Sequence, residues 1–367
     1  MNKKILVLSN SFGGLHNFRK EVFQAYRDNG YEVYISCPIE NNKAKAEWFE
    51  NIGCKIIDTK FNRLGMNPLA DFNLMLTYRK LIKQIKPKVA LSYTIKPNLY
   101  GGMACALCGV PQFANITGLG AAVEYPGLMQ KLTIALYKLG LRKAAMVFFQ
   151  NDENRKFCLK RKMVMGANRL IPGSGVNLSY HTLKDYPSEQ EPIRFIFISR
   201  IRREKGIDEY LACAETIKEK YPNTEFHVLG GCEGNYQKRL AELNEKGIII
   251  YHGQQGDVRP YIEKVHCTIH PTFYPEGMSN VLLESCAAGR VIITTDRAGC
   301  REIVDNGVNG YIVRQQDSQD LIEKVEKFIQ LPYKEKKQMG LSAREKVERE
   351  FDRNIVVNAY LEETKKY

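Results

Sequence analysis

This sequence lacks an uninterrupted apolar run of the length that a membrane-spanning helix requires. Residues 97–123 carry no charged side chain, but Gly101, Gly102, Gly109 and Pro111 interrupt them, whereas a spanning helix needs about 20 consecutive apolar residues. A buried helix, a turn and a buried strand are expected instead. The N-terminal segment, a basic pair and a short apolar run, favours a first β-strand over a secretory signal.

Paired metal-binding motifs are also missing. The ten cysteines are scattered, and Cys105 and Cys108 form a C-x-x-C without a second pair at zinc spacing. Packing is therefore favoured over metal or redox chemistry, and reduced cysteines in the cytoplasm are expected. No D-x-D carboxylate pair follows a predicted strand, so neither a divalent cation nor another cofactor is expected.

Acidic residues are scarce in the first half of the chain. Residues 1–176 contain 26 Lys and Arg against 11 Asp and Glu, a net charge of +15, and the remainder carries −2. A solvated basic surface explains this excess as well as an anionic partner does. The candidate partners are a membrane, a phosphorylated acceptor or nucleic acid.

Short β-rich runs alternate with helical patterns through both halves. Strands such as KILVLS and IRFIFIS are apolar runs, which is typical of parallel sheets covered on both faces. The expected fold is α/β, with two doubly wound, Rossmann-like domains facing a central cleft. The predicted divisions are an N-terminal domain over 1–176, a linker over 177–192, a C-terminal domain over 193–350, and a helix over 351–367 that packs back on the first domain.

A basic turn follows the first strand of the second series. The strand ends at Ser199, Arg200 follows, and Lys205 and Gly206 open the next helix. Two cations beside a helix N-terminus suit a diphosphate. A solvated basic turn is the alternative explanation.

Two glutamates with seven residues between them follow the strand VHCTIH. Glu276 lies in a Pro-Glu-Gly turn before a helix predicted to begin at about Met278, and the amides from Gly277 to Asn280 suit a phosphate or a sugar hydroxyl. Glu284 falls on the second turn of this helix, among apolar and small residues. A buried carboxylate needs hydrogen-bond donors, which ribose hydroxyls or a nearby arginine would supply.

A glycine pair, Gly13 and Gly14, follows the first strand of the chain. It is expected in a loop where the backbone approaches a phosphate, although the pattern is neither G-x-G-x-x-G nor a P-loop. A tight turn is the alternative. His16 either faces the cleft or lies on the surface.

The segment EGMSNVLLESCAAGRVIITTDRAGCREIVDNGVNGYIV resembles the donor-site signature of family 4 glycosyltransferases of the GT-B fold. FISRIRREKGIDEYL, VLGG, YHGQQGDVRPYI and IPGSGVN match other parts of the family pattern. The resemblance covers nearly the whole chain and is strongest from Phe195 to Val313. ANITGLG, FFQNDEN and GCREIV are similar to the branch that builds capsule, O-antigen and exopolysaccharide repeat units.

This resemblance implies a role for each candidate residue of the second domain. Glu284 binds the donor ribose, Arg200 and Lys205 bind the donor diphosphate, and the main chain at Val258 lies under the base. Arg200, Lys205 and Glu276 are the residues expected to take part in catalysis. The transferred sugar is held by Glu276 and by the backbone amides of the next four residues, Gly277, Met278, Ser279 and Asn280.

On the acceptor side, the resemblance implies that Gly13 and Gly14 let the first domain close on the phosphates. Many family members carry a histidine after the strand that corresponds to QFANIT. Here the nearest residue is Thr117, followed by Gly118. A hydroxyl, a main-chain group or His16 is therefore expected to take the place of that histidine.

The expected activity is a retaining, metal-independent transfer from a UDP-sugar, such as UDP-GlcNAc, UDP-GalNAc or UDP-Gal, to a lipid-linked saccharide. Retention most simply comes from attack on the face that the phosphate leaves, and Glu276 as a covalent nucleophile is the alternative. The two rival functions are a UDP-sugar epimerase of similar fold, which needs no acceptor, and a basic nucleic-acid-binding protein, for which no binding motif is found.

The expected location is the cytoplasmic face of the cell membrane. Residues 128–149 combine an apolar helix with Lys131, Lys138, Arg142 and Lys143, which suits an anionic bilayer. A helix that packs between domains shows the same apolar period and is the alternative.

Overall fold

A computed structural model describes residues 3–39, 42–62, 67–120, 123–124, 126–232 and 235–367. The chain forms two compact units. The first contains Met1–Gly175 together with Arg353–Tyr367, and the second contains Val176–Asp352. The segment 177–192 thus groups with the second unit, and the C-terminal helix groups with the first.

The first unit has a seven-stranded sheet in which every neighbouring pair is parallel. The strand order is β3-β2-β1-β4-β5-β6-β7, so strands are added on one side of β1 up to β3 and on its other side from β4. Six strands match the predicted runs, and the seventh, β7, was not predicted. The strands are β1 (Lys4–Leu8), β2 (Glu32–Cys37), β3 (Lys55–Asp58), β4 (Val89–Tyr93), β5 (Gln112–Ile116), β6 (Ala144–Phe149) and β7 (Asn168–Leu170).

Helices follow most of these strands, as the alternating pattern predicts. Asparagine side chains cap two of them, because an amide oxygen accepts from the open N–H groups of the first turn. A π-helical turn at Pro97–Gly101 precedes α4, where one helix was predicted. The helices of this unit are α1 (Phe12–Asp28), α2 (Lys43–Asn51), α3 (Pro68–Ile85), α4 (Gly102–Cys108), α5 (Leu128–Leu141), α6 (Asp152–Lys160) and α13 (Arg353–Lys365).

The last helix, α13, packs into the core of the first unit. The Tyr360 ring stacks on Phe148 with centroids 4.5 Å apart, and the Tyr26 and Thr364 hydroxyls are 2.6 Å apart. The Arg353 guanidinium donates to the Glu21 carboxylate at 2.8 Å. Aromatic stacking and a buried ion pair thus attach a distant segment to α1 and to the sheet.

The second unit has a six-stranded parallel sheet in the order β10-β9-β8-β11-β12-β13. All six strands agree with the predicted runs. The strands are β8 (Ile193–Ile198), β9 (Thr224–Leu229), β10 (Ile250–Tyr251), β11 (Cys267–His270), β12 (Val291–Thr295) and β13 (Gly310–Val313). The helices are α7 (Ile207–Lys220), α8 (Tyr236–Glu245), α9 (Arg259–Ile262), α10 (Asn280–Ala287), α11 (Ser318–Gln330) and α12 (Tyr333–Glu350).

Continuously buried strands form the core of each sheet. All five residues of β12 are buried, as are those of β4 and β5, which is the pattern of strands covered on both faces. Across the described parts of the chain, no helix has the length and apolar character needed to cross a membrane. The predicted α/β fold with two parallel sheets is confirmed.

Candidate functional site

In the sheet of the second unit, successive strands are added on one side up to β10 and on the other side from β11. Strands β8 and β11 therefore lie side by side, although two strands separate them along the chain. Such a switch point leaves a crevice at the carboxyl ends of the two strands, where open α/β sheets bind ligands. The turn after β8 contains Arg200 and Lys205, and the loop after β11 contains Glu276. The fold therefore brings these two predicted segments to one edge.

Backbone contacts fix the turn after β8 against the loop after β11. The Glu204 carbonyl accepts from the amides of Phe273 and Tyr274, both at 3.0 Å, and from the Thr272 hydroxyl at 3.1 Å. Gly206 has φ +79°, and a Cβ there would lie 2.1 Å from the Pro271 carbonyl oxygen. Only glycine permits both the left-handed conformation and this approach, so Gly206 is required for the two segments to meet.

Lys205 and Glu276 contact each other within this arrangement. The Lys205 ammonium donates to Glu276 Oε1 and lies 4.5 Å from the centre of the Tyr274 ring. Lys205 is buried, with 8% of its surface exposed, whereas Arg200 is exposed. A buried ammonium is stable here because a carboxylate and an aromatic face compensate its charge.

A third segment, the turn after β12, supports the Glu276 loop. Gly299 has φ +86°, and a Cβ there would lie 2.7 Å from the Gly277 carbonyl oxygen. The Ser279 amide donates to the Gly299 carbonyl at 2.7 Å. Helix α10 begins at Asn280, after the predicted start at about Met278, so Gly277, Met278 and Ser279 precede it. The helix thus begins two residues after the predicted position, because this loop pairs with the neighbouring turn.

Glu284 lies on the second turn of α10 and is half-buried, not fully buried as its neighbours suggest. It lines a small hollow with Tyr180 and Arg259. The Arg259 guanidinium lies 3.7 Å from the Tyr180 ring centre and donates to both carboxylate oxygens of Asp257. These bonds lower the pKa of Asp257 below its ordinary value, so the arginine next to Val258 is held in place.

His270, the last residue of β11, is a feature that the sequence analysis missed. Only 3% of its surface is exposed, and neither ring nitrogen has a hydrogen-bond partner within the described residues. Burial, and then the Lys205 charge, lower its pKa to about 3. The imidazole is therefore neutral beside the Lys205 ammonium. A lone histidine in an apolar strand gives no sequence signal for this placement.

In the first unit the predicted glycine loop is part of a helix. Gly13 and Gly14 lie in the first turn of α1, and the Gly14 amide donates to the capping Ser11 hydroxyl at 3.2 Å. The expectation of a loop was wrong because Ser11 starts the helix before both glycines.

His16 packs on the side of α1 that faces α2. Its ring lies edge-on to Trp48, with centroids 5.1 Å apart, and burial lowers its pKa. Thr117 and Gly118 follow β5, and Gly118 has φ +136°, which favours glycine. The predicted acceptor-side residues thus come from helix α1 and from the segment that follows β5.

Two family models match the chain. Residues 182–346 match "Glycosyl transferases group 1", and residues 4–151 match "Glycosyl transferase 4-like". The chain belongs to the glycosyltransferases. Its enzyme class and its GT-B architecture, both expected from the sequence, are thereby confirmed.

Named relatives of this glycosyltransferase include enzymes of bacterial polysaccharide assembly. The N,N'-diacetylbacillosaminyl-diphospho-undecaprenol alpha-1,3-N-acetylgalactosaminyltransferase of Campylobacter jejuni is 25% identical, over 98% of this chain and 97% of its own length. The capsular polysaccharide biosynthesis glycosyltransferase CapM of Staphylococcus aureus is 28% identical over 44% of this chain and 42% of its own.

The same fold is present in solved structures. HepE of Anabaena in complex with UDP superimposes with a TM-score of 0.80 over 99% of both chains, at 17% sequence identity. A glycosyltransferase from Rickettsia africae gives 0.79 at 18% identity, over 100% of this chain and 98% of its own. At these identities the likeness establishes the architecture.

Proposed function

We propose that this glycosyltransferase moves a sugar, with retention, from a UDP-sugar to a lipid-linked saccharide used to assemble a bacterial surface polysaccharide. The observation that carries the proposal is the contact of Lys205 with Glu276 at the switch point of the second sheet. A cation for a diphosphate and a carboxylate for sugar hydroxyls are adjacent there, as a nucleotide-sugar requires. The UDP complex of HepE and the lipid-linked acceptor named for the Campylobacter jejuni enzyme support this choice of substrates.

In this proposal the second unit contacts four parts of the donor: the diphosphate, the transferred sugar, the ribose and the base. Arg200 and Lys205 bind the diphosphate, and their charge stabilises the negative charge that develops on the leaving group without a metal ion. Glu276 accepts hydrogen bonds from hydroxyls of the transferred sugar. Glu284 accepts from the ribose, and the main chain at Val258 supports the base. The Gly277 and Met278 segment completes the sugar site, whereas the Ser279 amide stays bonded to Gly299.

Retention follows if the acceptor hydroxyl attacks from the side on which the diphosphate departs. The bond from the anomeric carbon to the phosphate oxygen breaks, and the leaving phosphate takes the proton of the attacking hydroxyl. Lys205 and Arg200 stabilise the departing oxygen throughout. In the first unit, Thr117, Gly118 and His16 remain candidate acceptor contacts, and Gly13 and Gly14 contribute the first turn of α1.

The proposed acceptor is embedded in a membrane, so the enzyme must reach an anionic bilayer. An exposed apolar series at the start of α5 includes Leu128 and Leu132. Exposed cations follow it, Lys138 on the helix and Arg142 and Lys143 immediately after its end. Apolar side chains with basic neighbours favour an interfacial position. We include peripheral binding through α5, at the inner face of the cell membrane, in the proposed function.

A donor screen with detection of released UDP tests the proposal. Purified enzyme is incubated with UDP-GlcNAc, UDP-GalNAc or UDP-Gal and a lipid-linked saccharide extract. UDP release that requires the extract, with label entering the lipid fraction, supports transfer. Turnover of a UDP-sugar without an acceptor favours the epimerase, and the absence of UDP binding contradicts the assignment of the donor.

A further inference from the structure

A hollow of about 450 Å³ lies in the first unit, at the carboxyl edge of its sheet. One wall is the segment after β3, with Lys60, Phe61 and Asn62, and Lys96 after β4 contributes another. The first turns of α3 close the remaining side. The volume falls in the range of small-molecule sites, and strand ends of this kind commonly bind ligands.

The lining of this hollow contains several hydrogen-bonding side chains. Asn62 and Asn73 contribute side-chain amides, and Phe61 contributes an aromatic ring. The Thr77 hydroxyl donates to the Asn73 carbonyl at 2.9 Å and keeps its capacity to accept. Amides match sugar hydroxyls because each amide offers two donors and an acceptor. The apolar face of a sugar ring also packs well on an aromatic side chain. This composition favours a polar, hydroxyl-rich ligand.

Two charged groups of the hollow, Asp71 and Lys96, are fixed in position by their contacts. Asp71 is buried, and its carboxylate accepts hydrogen bonds from the Lys96 ammonium at 2.7 Å and from the Tyr100 hydroxyl at 3.0 Å. With Lys60 also in the lining, cations outnumber carboxylates. A ligand with a modest negative charge, such as a phosphate-linked saccharide, therefore fits better than a cation.

An apolar stripe runs along α3 beside the hollow. Leu69, Phe72 and Leu76 are 79%, 54% and 39% exposed, and their i, i+3, i+7 spacing places them on one helix face. Asn73 and Thr77, which line the hollow, lie next to this stripe on the helix surface. Asn73 is four residues after Leu69 and Thr77 is four residues after Asn73, and residues at this spacing are neighbours. An apolar surface thus borders a polar lining. This arrangement is complementary to an amphiphile, whose hydrocarbon chain adjoins a polar saccharide.

From this juxtaposition we infer that the hollow binds the saccharide-diphosphate end of the lipid-linked acceptor and that the α3 stripe holds its hydrocarbon chain. The inference rests on the proposed function and gives the acceptor a second group of contacts, separate from those predicted at Thr117. Lys60 and Lys96 face the diphosphate, and the amides face the sugar.

Two synthetic probes test it: N-acetylglucosamine diphosphate esterified with farnesol, and the same compound esterified with methanol. Binding is measured by calorimetry without nucleotide. The double variant Asn73→Leu with Thr77→Val should lose about tenfold or more in affinity for both probes, because polar contacts are removed. The double variant Leu69→Ser with Phe72→Ser should lose about tenfold for the farnesyl probe alone.

Matched controls separate these effects from general damage. Gln84→Leu changes an exposed residue of α3 outside the hollow, and Ile355→Ser removes an exposed apolar side chain on α13. Both controls should bind the probes like the wild type, and UDP affinity should be unchanged in every variant. Wild-type binding in the hollow variant, or equal losses for both probes in the stripe variant, overturns the inference.

The two proposals fail in different ways. If UDP does not bind the wild type, the proposed function fails. A different outcome refutes only the acceptor site. In that case the wild type binds UDP and transfers sugar to the lipid extract, and the hollow variant has the same KM for the acceptor as the wild type.

Discussion

The Lys205 ammonium donates to the Glu276 carboxylate, although 71 residues separate them, and the Tyr274 ring covers the same ammonium. Two groups that the proposed function assigns to different parts of the donor therefore neutralise each other in this structure. A diphosphate that binds here competes for Lys205, and the carboxylate then becomes available to sugar hydroxyls. Under the proposed function, this exchange would make diphosphate and sugar binding interdependent.

Removing either donor cation should slow turnover. Lys205→Ala and Arg200→Ala are each expected to lower kcat by about two orders of magnitude or more, because charge on the leaving diphosphate is left uncompensated. Initial rates of UDP release with saturating acceptor measure this. Lys205→Ala also leaves Glu276 without its cation, so UDP-sugar affinity should fall further than UDP affinity.

The matched control is Arg203→Ala, which removes an exposed cation of the same turn and should keep near-normal rates. Added Mg²⁺ or EDTA should change the wild-type rate little. Complete loss of wild-type activity in EDTA would contradict the metal-free account.

Glu284→Ala should weaken UDP binding, because the ribose loses an anionic acceptor worth about 1.5–3 kcal/mol. Calorimetry with UDP alone should show a rise in Kd of at least about tenfold. Glu245→Ala, on an exposed position of α8, serves as the control. Unchanged affinity in a folded Glu284 variant would refute the ribose assignment.

Much of the fold was predictable because apolar periodicity specifies buried parallel strands. Strand β7 was missed because it has only three residues, Asn-Arg-Leu, and none is fully buried. Its position comes from backbone pairing with β6 and not from a side-chain pattern. Similarly, Gly13 and Gly14 suggested a loop, but Ser11 caps α1, which begins at Phe12, one residue before them.

The candidate site was only partly predictable for a related reason. The carboxyl ends of the predicted parallel strands indicated which segments meet, so Lys205 and Glu276 were both identified. Their direct contact depends on Gly206 and on the Glu204 carbonyl, which no spacing rule encodes. The buried His270 and the hollow beside α3 arise from three-dimensional packing and leave no motif in the sequence.

Reversing the charge at the C-terminal end of α5 and in the two residues after it should release the enzyme from anionic vesicles. Lys138, Arg142 and Lys143 are exposed, and each contributes on the order of 1 kcal/mol near an anionic surface. The variant with all three changed to Glu should fail to co-sediment at low salt and keep wild-type UDP affinity. Wild-type binding should also weaken as salt rises.

A triple variant of equal charge provides the control for α5. Lys156, Lys160 and Lys162 are exposed in the same unit, and changing them to Glu alters the net charge by the same amount. If both triple variants lose vesicle binding equally, general charge and not α5 is responsible. If the α5 variant sediments like the wild type, α5 is not the membrane contact.

The buried imidazole of His270 should make the stability of the protein depend on pH. Its pKa falls from an ordinary 6.5 to about 3 in the folded chain, so between these values the unfolded chain takes up a proton that the folded chain does not. The free energy of unfolding should therefore fall as pH falls through this window, by about 1 kcal/mol per pH unit for this residue. Above pH 6.5 the imidazole is neutral in both states and contributes no slope.

His270→Phe tests this because it keeps a buried ring and removes the titrating nitrogens, neither of which has a partner among the described residues. At pH 7.5 the variant should be at least as stable as the wild type, since an apolar ring has no unsatisfied polar group. Thermal melts from pH 7.5 to pH 4.5 should show that, below pH 6.5, the melting temperature of the variant rises relative to that of the wild type. A constant difference in melting temperature across this range would mean that His270 does not titrate between the folded and unfolded states, and that its nitrogens are solvated or bonded in solution.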